Sequence, residues 1–148
     1  MGHNLSFNIS SQRVLSAVPA GHESKDCREV DRSGFEGVRF VALLGATAEH
    51  GKACLRVLGS DVSGDYGEGS GAKEIACSEQ VVAGTDDHKM MIVDVYRPCS
   101  RYLKARVVLG ESDTAIDGVI AELYHPLVLP VKVDSSIAQQ VIMADKTR

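Results

Sequence analysis

In the stretch FEGVRFVALLG, apolar Val38, Phe40, Ala42 and Leu44 occupy every second position, with Arg39, Val41 and Leu43 between them. A period of two puts one apolar face on a pleated strand and does not make a helical stripe. The pattern returns four times. Ala53, Leu55 and Val57 oppose Arg56; Met91, Val93 and Val95 oppose Asp94. Leu103, Ala105, Val107 and Leu109 oppose Tyr102, Lys104 and Arg106, and Val119, Ala121 and Leu123 oppose Ile120, Glu122 and Tyr124. ATAEHGK, TDDHK, RPCS and ESDT supply turns between them, and Pro98 ends its strand because it has no N–H for a ladder. Short strands at intervals of about 8 to 15 residues, with turn signals between, predict an all-β antiparallel sandwich or barrel.

Less regular segments flank this pattern. AKEIACSEQVVAG fits one irregular strand or two short ones. Residues 1–35 are polar with scattered apolar positions, which predicts an extended N-terminal arm carrying short strands. Residues 36–125 form the expected core, and 126–148 a C-terminal strand or arm. Pro130 inside LVLPVKV restricts that piece to an edge or an arm. SSIAQQVIMADK is the one place where a helix fits, with Ile137, Val141 and Ala144 on a shared face.

At 148 residues the chain has the size of one domain. A domain of that size buries roughly two-thirds of its unfolded surface and needs no staple to hold a core. Trp is absent and aromatics make up 5%, so Val, Leu, Ile and Ala must fill that core. A formal net charge of -4 gives no basic footprint for a nucleic-acid partner. No apolar run approaches the ~20 residues of a membrane helix.

Motifs for chemistry are few. Cys27, Cys54, Cys77 and Cys99 form no C-x-x-C pair and have no H-x-x-x-H beside them, so no zinc site is expected and reduced, mostly buried thiols are. MGHNLS fits a myristoylation pattern, and Asn4 and Asn8 each open an N-x-S sequon, but such short patterns arise often by chance. The acidic, glycine-rich GDYGEGSGAKE suggests a calcium loop. Counted from Asp61, however, it offers Tyr66 where an EF-hand requires glycine and Ala72 where it requires glutamate. It also lacks the G-K-[ST] ending of a phosphate loop. It reads as a loop between strands. His3, His22, His50, His88 and His125 are scattered, and no G-x-S-x-G elbow is present. Glu49–His50 and Asp86–Asp87–His88 read as solvated turn residues, and Asp94 and Asp117 as salt-bridge partners for Arg97 or Arg101. No catalytic residue, metal ligand or cofactor is expected.

From Asp86 to Tyr124 the order of features is distinctive: a turn with two acids and a Lys, an apolar strand ending DVYRP, then RYLKARVV, a polar turn and AIDGVIAELY. Together with FEGVRFVALLGATAEHGKACLRVLGSD, this order resembles a family of small tailed-bacteriophage virion proteins, over about residues 34 to 133. The resemblance implies a β-sandwich of jelly-roll type that binds the capsid exterior as a decoration or cement protein. It further implies the major capsid protein as partner, a dimer or trimer, and assembly in the host cytoplasm. The family's Y-R-P and R-Y elements fall on Tyr96, Arg97, Pro98, Arg101 and Tyr102, which become the candidate fold or interface residues. Cys99 in that turn departs from the pattern. Rival readings are a head–tail or tail-completion component, a carbohydrate-binding module, which the scarcity of aromatics disfavours, and a small enzyme built on His50, His88 or His125.

Overall fold

The computed structural model describes residues 4–48, 52–81, 88–110 and 113–142. After a 3-10 turn at Leu5–Phe7, the described residues form ten strands. These are β1 (Ile9–Leu15), β2 (Val18–Gly21), β3 (Lys25–Asp26), β4 (Val30–Asp31), β5 (Phe35–Thr47), β6 (Lys52–Ser60), β7 (Lys73–Val81), β8 (Met90–Tyr96), β9 (Tyr102–Leu109) and β10 (Thr114–Pro126). Two antiparallel sheets pack face to face. One runs β1–β10–β5–β8, with β2 continuing β1 along the edge of β10. The other runs β3–β9–β6–β7, with β4 continuing β3 along the edge of β9.

The alternations place the core as expected. Val38, Phe40, Ala42 and Leu44 of β5 are buried, as are Ala53, Leu55 and Val57 of β6 and Met91, Val93 and Val95 of β8. Leu103, Ala105 and Val107 of β9 meet Ile116, Val119, Ala121 and Leu123 of β10 from the opposite sheet. Leu109 is only partly buried against this cluster. Branched aliphatic side chains on two inner faces interdigitate as in other sandwiches. Phe40 is the largest fully buried one.

The flanks differ more from the sequence reading. The stretch expected as an N-terminal arm contributes β1 and β2 to one sheet and β3 and β4 to the other. Ile9 to Arg13 pair residue by residue with Tyr124 to Ile120, and Val14, Cys27 and Val30 enter the core. Of AKEIACSEQVVAG, Lys73–Val81 forms one strand, with a bulge at Val57–Leu58 of its neighbour, and 82–84 lie outside the described residues.

The C-terminal helix is a correction where the structure describes it: residues 127–142 form no helix and no strand, and 143–146, with Ala144, lie outside the described residues. The Asp134 carboxylate accepts the Ser136 N–H at 2.8 Å and its hydroxyl at 2.6 Å, closing a local turn that competes with helical bonding. The segment folds back toward the start of the chain, where the Leu127 N–H donates to the Gly34 carbonyl and the Val131 N–H to that of Phe7. Leu127, Val128 and Leu129 are left exposed there, at 72%, 77% and 53%.

Candidate interaction surface

Antiparallel register arranges the outward side chains of the β1–β10–β5–β8 sheet in rows. One row runs Ile9, Tyr124, Gly37, Tyr96; the next Ser11, Glu122, Arg39, Asp94; the third Arg13, Ile120, Val41, Ile92. A fourth sets Gly118 beside Leu43 and Met90. The face therefore passes from aromatic, through charged, to apolar.

The aromatic row is held by its polar tips. The Tyr124 ring lies over Gly37, where a Cβ would stand 2.2 Å from it, so only glycine admits the ring. Tyr96 stacks beside Tyr124 and beside His125, at centroid separations of 6.3 and 6.2 Å. The Tyr124 hydroxyl donates to the Asp94 carboxylate at 2.5 Å. Burial, then this bond, pushes Tyr124 up to about 12. Glu36, just before the row, gathers His125 Nδ1 at 2.6 Å, the Tyr96 hydroxyl at 3.3 Å and Arg97 at 3.4 Å. Desolvation would raise the Glu36 carboxyl, but the Arg97 and His125 charges outweigh it and hold it below the usual range. In the charged row Arg39 Nη1 lies 2.8 Å from Glu122 Oε1.

Of the five residues singled out by sequence, Tyr96 and Arg97 stand at this end of the face, with the Arg97 guanidinium 5.1 Å from the Tyr96 ring centre. The other three belong to the crossing into the second sheet. Pro98 is buried. Arg101 grips the Asp31 carboxylate through Nε and Nη2, both at 3.0 Å, and stacks on Tyr102. That bidentate bond holds Asp31 below the ordinary carboxylate range. The pairing expected for Asp94 with Arg97 or Arg101 is replaced: Asp94 takes the Tyr124 hydroxyl, Arg97 takes Glu36, and Arg101 takes Asp31.

Sequence reasoning missed Arg32, which closes the corner. Its Nε donates to the Ser100 carbonyl and its Nη2 to that of Pro98, both at 2.6 Å, with Nη1 3.4 Å from the Phe35 carbonyl. Nothing in its position marked it, since its partners lie 66 and 68 residues away. Glu36 and Tyr124 were missed for the same reason, and His125 was considered only as a catalytic base: only the β5–β10 ladder brings the three together.

The outer face of the second sheet is different in kind. Arg56 and Arg106 stand side by side, with Asp26 across from Arg106, and Lys104 lies one row on. The Arg106 and Lys104 contacts hold Asp26 below its usual range, the Arg106 hydrogen bond foremost.

The acidic glycine loop is pinned to this side. The Glu29 carboxylate accepts the Ser63 hydroxyl at 2.6 Å and the Gly64 N–H at 3.0 Å, and Lys104 lies 5.2 Å from the Tyr66 ring centre. Turn bonds such as Ser70 N–H to the Gly67 carbonyl complete it. Among the described residues, no three His, Cys, Asp or Glu side chains converge as a metal site would require.

Of the histidines considered for catalysis, His50 falls outside the described residues, as do Glu49, Asp86 and Asp87. His88 and His125 flank opposite ends of the open face, beyond Met90 and Tyr96. Cys27 and Cys54 are buried and Cys99 is exposed. Burial, then the Asp26 charge, pushes the Cys27 thiol up to about 12. No helix among the described residues is long and apolar enough to cross a membrane. A scan against protein-family models finds no match for this chain, and a search of curated proteins finds none either.

Proposed function

We propose that this chain is a non-enzymatic virion structural protein of a tailed bacteriophage, binding the capsid exterior as a decoration or cement protein. The observation that carries the reading is where the large apolar side chains have been left. Met90, Ile92 and Ile120 stand out from one sheet face, and Leu127, Val128 and Leu129 from the sandwich end beside it. Several of the charged side chains, by contrast, are tied up within the fold, Arg39 with Glu122, Arg101 with Asp31 and Arg106 with Asp26. Adhesion needs apolar area and anchoring arms and no reactive group, and exposed apolar patches mark interaction sites. On a symmetric lattice, modest contacts multiply through avidity.

The strand order supports the jelly-roll form of this reading. With β1 and β2 counted as one position, and β3 and β4 as another, the chain winds 1-8-3-6 in one sheet and 2-7-4-5 in the other. That order is the one expected of two Greek keys in an eight-stranded jelly roll, an architecture used by capsid and lectin domains alike. Fold alone does not choose between those uses. The resemblance between Asp86 and Tyr124 favours the virion, with the major capsid protein as partner and a homo-oligomer as the working form.

Quantitative mass spectrometry of DNA-filled particles from the source phage tests the reading. A copy number comparable to the coat protein supports a lattice decorator. A level far below it moves the chain to the head–tail vertex, and its absence from particles refutes a virion role. A second reading, carbohydrate binding, is favoured by the parallel rings of Tyr124, Tyr96 and His125, because sugar faces stack on such shelves. Saturable quenching of tyrosine fluorescence by a glycan, lost in Tyr96→Ala, would establish it.

A further inference from the structure

We infer that the outer face of the β1–β10–β5–β8 sheet is the contact between two copies of this chain, packed about a two-fold axis parallel to the strands between β10 and β5. This goes deeper into the homo-oligomer part of the function proposed above by naming the face. The extent of the face is right. Four strands about 4.8 Å apart and four rows about 6.8 Å apart give a plan area of about 500 Å². Side-chain relief brings that toward the roughly 800 Å² per partner of a stable complex. Its composition is right as well, since Leu43, Met90, Ile92 and Ile120, set around an already buried Val41, form the kind of surface that packs sheet on sheet inside the sandwich. The opposite outer face, with Arg56, Lys104 and Arg106, is charged and suits solvent.

Charge complementarity chooses the occupant. A two-fold axis along the strands keeps each row over the same row of the other copy and reverses its order. In the charged row, Arg39 of each copy then lies over Glu122 of the other, extending each 2.8 Å intrachain pair into a square of alternating sign. In the next row Val41 of each copy lies over Ile120 of the other. Across the two central strands each row is thus complementary to its own reverse, as an isologous interface requires, while at the edges the same axis sets Arg13 of each copy over Ile92 of the other.

The test is sedimentation equilibrium of the purified full-length chain at micromolar concentration, with far-UV circular dichroism and thermal melts as controls on folding. The wild-type chain should be a dimer, and Ile92→Lys, on the exposed edge strand, should weaken it about a hundredfold. Arg39→Glu and Glu122→Arg should each weaken self-association by a similar factor. Mixed one to one, these two variants should recover most of the wild-type affinity, because each then meets its opposite only in the other copy. A merely structural role for either residue would not produce that recovery.

A monomer at all concentrations overturns the assignment, as does a dimer indifferent to Ile92→Lys, or variants that fail to complement on mixing. A monomeric chain whose binding to purified capsids is abolished by Ile92→Lys would instead give this face to the coat protein, and also overturns it. Self-association is read without particles, so its failure leaves the copy-number measurement standing as a separate test.

Discussion

Replacing Arg32 with alanine should be among the most damaging changes available outside the core. Its guanidinium ties together three carbonyls from two segments: Phe35 at the start of β5, and Pro98 and Ser100 in the crossing from β8 to β9. The Arg32 N–H also bonds the Arg101 carbonyl, but the backbone bond survives substitution. Two side-chain bonds are short, at 2.6 Å, and the third is marginal at 3.4 Å. A hydrogen bond from a charged donor contributes about 1.5–3 kcal/mol when desolvated. Arg32 is half-buried, so the lower end applies and the two short bonds together give about 3 kcal/mol. For a domain of this size, that loss lowers the melting temperature by about 6–12 °C. The assay is urea unfolding followed by circular dichroism, with Arg32→Lys as comparison. Lysine keeps the charge but has no planar fork to reach two carbonyls, so it should recover less than half of the loss. A deficit under about 1 kcal/mol, or full rescue by lysine, would refute the corner-clamp account.

Three further outcomes follow from the geometry. Gly37→Ala drives a methyl into the Tyr124 ring and should cost about 1–3 kcal/mol; a second change, Tyr124→Ala, should relieve most of that in a double-mutant cycle read by urea unfolding. Asp26 and Asp31 have folded-state pKa values held below their unfolded ones by Arg106 and Arg101. Their contribution is therefore present above the unfolded carboxylate pKa and lost as pH falls through the lowered one. Both pairs are well exposed, so an acid titration of stability below about pH 4 should flatten by no more than about 1 kcal/mol in Asp26→Asn or Asp31→Asn. With Cys27 buried, its thiol up at about 12, and Cys99 exposed, a water-soluble maleimide should label Cys99 in the folded protein within minutes. Cys27 should be labelled only after denaturant is added, as read by peptide mass spectrometry.

The inner face of the sandwich was legible because burial imposes a local rule. Phe40, Leu55, Val107 and Leu123 each belong to a run that alternates by itself, and the parity of one strand needs no knowledge of another. The N-terminal strands were harder to read. SSQRVL shows little alternation, and β3 and β4 are two residues each, held by what β9 offers them and not by a pattern of their own. The C-terminal stretch misled because helical spacing of Ile137, Val141 and Ala144 is only a weak prior, and the Asp134–Ser136 turn satisfies the backbone another way. Tyr96, Arg97, Pro98, Arg101 and Tyr102 are neighbours in sequence, yet the chain crosses from one sheet to the other between them. One cluster of letters thus becomes an end of an open face and a separate corner between the sheets.

The open face shows most clearly what a sequence holds without displaying. In β5 the outward positions Val41 and Leu43 are apolar as well as the inward ones, so this strand asks to be covered on both sides. In β6 and β9 the outward positions include Arg56, Lys104 and Arg106, and those strands ask for water. That asymmetry can be read from single strands. Its meaning cannot, because Val41, Ile92 and Ile120 come from three separate segments and meet only through the β10–β5–β8 register. A shift of one residue in either ladder would turn Ile92 or Ile120 inward and bring Val93 or Val119 out, breaking the row and the core together. The register that buries Phe40 is therefore the same constraint that lines up the outer apolar row, so the surface is as strongly specified as the core. A chain selected only to be a soluble monomer would have had every reason to place charges at the exposed Ile92 and Ile120, as it did at Arg56, Lys104 and Arg106.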